Sequence, residues 1–84
     1  MVRSRIDIIT DILETSSKEW LIKGDIMRHA NLDSDQFNSY SDFLQKRRLL
    51  EKRCDDNTTY KTTQRGKRFL KYANYIRMLL TPEK

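Results

Sequence analysis

Among 84 residues the chain has one cysteine (Cys54), one histidine (His29), one tryptophan (Trp20), one proline (Pro82) and two glycines (Gly24 and Gly66). Each scarcity excludes a class of protein. A single thiol cannot form an internal disulfide and fits a reducing, cytosolic setting. One histidine and one cysteine cannot assemble a metal cluster or a Cys–His catalytic pair within one chain. Two isolated glycines do not make a phosphate-cradling loop. No apolar run approaches the ~20 residues of a membrane span. The N-terminal stretch MVRSRIDIITDIL is interrupted by charge and lacks the apolar core of a secretion signal. The expectation is a cytoplasmic, non-catalytic protein with no cofactor, metal, membrane or small-molecule substrate.

What the chain does have is an uneven charge. Residues 1–45 carry five basic and eight acidic side chains, whereas residues 46–71 carry ten basic and three acidic ones. The overall charge of +5 thus hides a basic block beside an acidic one, a pattern suited to a polyanion-binding face. The competing reading is a surface made soluble by Lys and Arg. A chain this short buries only about 60–65% of its unfolded surface, so oligomerisation remains as a stabiliser.

Local signals divide the chain into seven elements. Ser4 and Asp7 have capping-box spacing, and Val2, Ile6, Ile9, Ile12 and Leu13 form a helical stripe, which predicts a helix over about 4–15. Thr15, Ser16 and Ser17 end it. Glu19-Trp20-Leu21 is long enough only for a brief strand. Lys23 to Ala30 reads as a second helix with Ile26, Met27 and Ala30 inward, closed by Asn31 in the left-handed region. Asp33 and Gln36 make another capping box, opening a third helix from Ser34 to about Arg47 with Phe37, Tyr40, Ser41 and Leu44 inward and Phe43 at the edge. Residues 49–54 and 59–62 are strands joined by the turn-forming 55–58. Thr63 caps a last helix from Gln64 to about Leu80, ended by Pro82.

This order, mainly α with a small antiparallel β wing, is that of a winged helix-turn-helix, and its C-terminal helix is expected, on the resemblance and seam given below, to serve dimerisation. The chain is expected to be one domain over 1–84, with core and wing in 1–63 and the dimerisation helix in 64–81. Two stretches carry a family resemblance. One is Lys23-Gly24-Asp25-Ile26-Met27-Arg28-His29-Ala30-Asn31-Leu32 with Tyr40-Ser41-Asp42-Phe43-Leu44. The other is Tyr60-Lys61-Thr62-Thr63-Gln64-Arg65-Gly66-Lys67-Arg68-Phe69-Leu70. Together they resemble the small archaeal winged-helix DNA-binding proteins regarded as transcriptional regulators, over about residues 5–76. The resemblance implies binding of double-stranded DNA as a homodimer paired through the last helix as an antiparallel coiled coil. Two departures are that this helix ends near residue 80 and that helix 3 carries aspartates.

Candidate residues follow from the faces. Opposite its apolar stripe, helix 3 presents Asp35, Asn38, Ser39, Asp42, Gln45 and Lys46. Asn38 and Gln45 suit adenine, and Ser39 suits any base. Asp35 and Asp42 oppose a phosphate-lined groove unless each accepts from a cytosine amino group; the alternative is a solvated polar face. Lys46, Arg47, Arg48, Lys52, Arg53 and Lys61 are expected phosphate contacts if they lie near one edge, although Arg47 or Arg48 also suits capping of helix 3. The aromatics Tyr40, Phe43, Phe69 and Tyr72 fit core packing better than a stacking platform for single strands, and Trp20 fits a lid over the helices. On the last helix, Phe69, Ala73, Ile76 and Leu80 recur as an a/d seam with Tyr72 and Leu79 adjacent. Phe69 and Ala73 are also placed to pack on helix 1. The expected dimer interface is Tyr72, Ala73, Ile76, Leu79 and Leu80. The leading function is a double-stranded DNA-binding regulator or small nucleoid-associated, chromatin-type protein. The rival is a protein-interaction module using the acidic face of helix 3.

Overall fold

The computed structural model describes residues 4–80, so Val2 and Pro82 of the expectations above lie outside the described residues. The elements are α1 (Arg5–Thr15), β1 (Leu21–Ile22), α2 (Lys23–Ala30), α3 (Ser34–Lys46), β2 (Leu50–Cys54), β3 (Thr58–Thr62) and α4 (Gln64–Leu80). The strands form one antiparallel sheet in the order β1-β3-β2. The fold class is the one read from the sequence.

The caps are where side-chain chemistry demands them. Ser4 and Asp7 form a reciprocal box at the start of α1, as do Asp33 and Gln36 at the start of α3. Each box satisfies two backbone donors that a helix N-terminus otherwise leaves unpaired. Asn31 closes α2 at φ 58°. The brief strand begins later than expected, at Leu21, because Leu21 and Ile22 are the residues that pair with Tyr60 and Thr59.

The core joins Ile9, Ile12 and Leu13 of α1, Ile26 and Ala30 of α2, Phe37 and Leu44 of α3, Leu50 and Tyr60 of the sheet, and Leu70 of α4. The Phe37 and Tyr60 rings meet edge to face at 5.2 Å, the arrangement favoured by their quadrupoles. The α1 stripe is rotated from the expected one: Ile6 is 40% exposed, and Thr10 is buried in its stead. Thr10 tolerates burial because its hydroxyl donates to the Ile6 carbonyl oxygen, leaving no polar atom unpaired. A second polar knot ties α1 to the sheet. Buried Ser16 and Thr62 share a hydroxyl–hydroxyl hydrogen bond at 3.0 Å, and Thr62 Oγ1 lies 2.7 Å from the Leu13 carbonyl oxygen, to which it donates.

Three aromatic expectations are corrected. Tyr40 and Phe69 pack on the core, but Tyr72 is 64% exposed and Phe43 is 38% exposed, because each lies on the side of its helix turned away from the core. Trp20 is not a lid over the helices: it lies half-buried with the Arg53 guanidinium 4.3 Å from its ring centre.

Gly66, Leu70 and Ala73 are the buried residues of α4. Gly66 faces Leu49 and Thr62, and farther along, α4 is tied to α1 by Asn74 Nδ2 donating to Glu14 at 3.2 Å and Arg77 paired with Asp7 at 3.4 Å. Ala73, expected in the dimer seam, is therefore already covered within its own chain, at 6% exposure. The stripe left outward is Tyr72, Tyr75, Ile76 and Leu79, followed by Leu80, with Met78 beside it.

Candidate nucleic-acid interface

The exposed face of α3 holds Asp35, Asn38, Ser39, Asp42 and Lys46, as its 100° periodicity requires. Asn38 is engaged from α2: Lys23 Nζ donates to its Oδ1 at 3.2 Å and to Ser34 Oγ at 2.9 Å. Lys23, which sequence reasoning did not single out, thus adds a cation beside the first half of α3. Gln45, by contrast, turns back on its own helix. Its Nε2 donates to Ser41 Oγ at 2.7 Å and the residue is half-buried.

The six expected phosphate contacts do not form one edge. In the β2–β3 ladder Lys52 lies opposite Tyr60, whereas Arg53 lies opposite Thr59 and Lys61 opposite Glu51. Residues opposite one another share a face and successive residues alternate. Lys52 therefore stands on the face of the sheet that carries Tyr60 and looks toward α3, while Arg53 and Lys61 stand on the other face. There Arg53 is held between Trp20 and Asp55, with an Nε–carboxylate distance of 3.2 Å.

Lys46, Arg47 and Arg48 go elsewhere again, to the turn that ends α3. Arg48 N–H donates to the Gln45 carbonyl oxygen at 3.0 Å and Leu49 N–H to that of Leu44 at 2.9 Å. These are the paired bonds of a Schellman closure, which requires a left-handed residue at Arg48. Its φ is 61°. The glycine usual at such a position is missing, which is why the sequence did not disclose this turn. Arg47 stacks on Phe43, 4.3 Å from the ring centre.

Across from this turn stands the first half of α4. Lys46, Arg47, Arg48, Arg65 and Arg68 line one groove, floored by Leu49 and Phe69. No carboxylate lines it, and among the described residues no ion pair involves Lys46, Arg48, Arg65 or Arg68. Arg65 and Arg68 were missed because their proximity to Arg48 depends on how α4 docks. The only signal in the sequence was the density of basic residues over 46–71.

A helix-turn-helix followed by a two-stranded wing defines a winged-helix domain. The chain belongs to the winged helix-turn-helix family, whose model matches residues 2–81. Among solved structures, the chain is similar to Sso10a-2, a DNA-binding protein from Sulfolobus solfataricus. The TM-score is 0.84 at 20% identity, over 92% of this chain and 81% of that one. It is also similar to a MarR-family transcriptional regulator from Silicibacter pomeroyi DSS-3, with TM-score 0.70 and 9% identity, over 89% of this chain and 55% of that one. A second MarR-family regulator from Silicibacter pomeroyi gives TM-score 0.70 and 20% identity, over 92% and 60%. The chain thus spans somewhat over half the length of the MarR structures, and these likenesses establish the fold. No curated protein matches the sequence. The resemblance drawn from residues 23–32, 40–44 and 60–70 to small archaeal winged-helix proteins holds.

Proposed function

We propose that this chain is a non-catalytic, double-stranded DNA-binding protein, a transcriptional regulator or small nucleoid-associated, chromatin-type protein, acting as a homodimer. In this reading α3 enters the major groove, Asn38 and Ser39 meet base edges, and Lys46, Arg47, Arg48 and Lys52 neutralise phosphates. The observation that carries it is an exposed polar helix face flanked by cations at both ends, Lys23 beside its first half and the 46–48 turn at its C-terminus. The DNA-binding character of the similar Sso10a-2 supports it. Gln45 contributes to base contact only by giving up its bond to Ser41. Arg53 and Lys61, on the far face of the wing, contribute only where a backbone curls past the wing edge.

The dimer forms through the distal half of α4. Tyr72, Ile76, Leu79 and Leu80, joined by Tyr75, are large apolar or aromatic side chains left in water by the monomer, and pairing two such faces removes them from it. Linking two weak DNA sites in one dimer raises affinity through effective concentration.

The experiment is binding of random-sequence and varied duplexes by wild type, Lys46→Ala with Lys52→Ala, and Asn38→Ala. The charge variant weakens all duplexes alike, and Asn38→Ala alters preference among them. Absence of duplex binding at low salt, with capture of a basic partner protein by the Asp35 and Asp42 face, would favour the interaction-module reading.

A further inference from the structure

We infer that Arg65 and Arg68 of α4, together with the Lys46–Arg48 turn, form a phosphodiester-binding groove that grips the DNA strand flanking the major groove occupied by α3. The inference rests on the duplex-binding reading and assigns to α4, otherwise a packing and dimerisation helix, a direct part in it.

Three observations carry it. The groove concentrates five cations with no carboxylate among its lining, so like charges face one another across it. Such self-repulsion opposes the folded state, and a polyanion relieves it. The chain also keeps an arginine at the left-handed position of the α3 closure, where a glycine closes the helix with less strain. The Arg48 side chain is thereby delivered into the groove, and backbone strain retained at a charged position points to a ligand. Finally, the wall is rigidly set. Thr63 Oγ1 donates to the Arg48 carbonyl oxygen at 2.6 Å and accepts from Gly66 N–H at 3.0 Å. Thr63 N–H also donates to the Leu49 carbonyl oxygen at 3.1 Å. The first turn of α4 is thus pinned to the turn that ends α3.

The spacing identifies which phosphates. Asn38 and Lys46 are eight residues apart on α3, about 12 Å along the axis at 1.5 Å per residue. The major groove is about 12 Å wide, so its centre lies about 6 Å from either bordering strand. With Asn38 over base edges, the C-terminal turn of α3 reaches the sugar-phosphate strand at the groove's border, and the α4 arginines close on that strand from its other side.

Fluorescence anisotropy across a salt series tests the groove, using Arg65→Ala with Arg68→Ala, Arg65→Lys with Arg68→Lys, and Lys52→Ala against one 25-base-pair duplex and one of its single strands. The double alanine variant should bind the duplex about tenfold more weakly at moderate salt. Its slope of log affinity against log salt should be shallower by about 1.8, the value for two phosphate contacts. The double lysine variant should keep most of the slope, which a collapsed fold would not. An unchanged slope in the double alanine variant, while Lys52→Ala still weakens duplex binding, overturns the groove and leaves the duplex reading intact. A loss confined to the single strand, or a changed oligomeric mass with unchanged DNA affinity, also overturns it. Failure of the wild type to bind duplex removes the reading beneath it.

Discussion

The Thr63 hydroxyl donates to the carbonyl oxygen of Arg48 at 2.6 Å, and this contact ties the end of α3 to the start of α4. Thr63 Oγ1 in turn accepts from Gly66 N–H, so one side chain both caps a helix and holds the backbone of a left-handed arginine. Thr63→Ala removes both contacts. Loss of a cap costs about 1 kcal/mol, and the Arg48 bond adds a comparable amount. Urea denaturation should show a loss of about 1–2 kcal/mol, with Thr63→Ser keeping most of the stability.

Arg48→Gly separates folding from binding. Glycine relieves the left-handed strain, which is about 1 kcal/mol for a residue bearing a Cβ. Thermal unfolding should show equal or higher stability while duplex affinity falls several-fold. A variant both less stable and undiminished in binding would mean that Arg48 serves only the turn.

Gly66 marks a close approach. A Cβ there would overlap the Leu49 carbonyl oxygen and the Thr62 methyl group. In an exposed helix alanine would gain about 1 kcal/mol over glycine, yet here Gly66→Ala should destabilise by about 1–3 kcal/mol through overpacking. Chemical denaturation gives the sign directly.

The distal face of α4 predicts an oligomeric state. Ile76→Asp with Leu79→Asp should convert a dimer, at tens of micromolar, into a monomer of unchanged helicity, because both positions are exposed in the single chain. Sedimentation equilibrium with circular dichroism checks it. A wild type that is monomeric at that concentration would refute the interface.

Much of the fold was legible because its determinants are local. The capping pairs Ser4–Asp7 and Asp33–Gln36 and the closing Asn31 each rely on neighbours within a few residues. The outward face of α3, with Asn38, Ser39 and Lys46, was legible in its helical period, whereas the grouping of the cations was legible only in composition. Whether Lys52 and Arg53 share a face depends on strand alternation, which divides adjacent residues between opposite sides. The turn at Arg48 lacks the glycine that would have signalled it. The inward rotation of Ala73, and with it the outward stripe through Tyr72, Ile76 and Leu79, is set by the docking of α4 on α1 through Asn74–Glu14 and Arg77–Asp7. That docking is tertiary, and the helical period alone leaves it open.

Duplex binding driven by phosphates is the centre of the account, and a salt titration of the wild type on random-sequence duplex measures it most directly. The five groove cations together with Lys52 predict a slope of log affinity against log salt of about −5.4 per protomer, at about −0.9 for each phosphate contact. Binding that is absent at low salt, or that persists with a slope near zero, would contradict it.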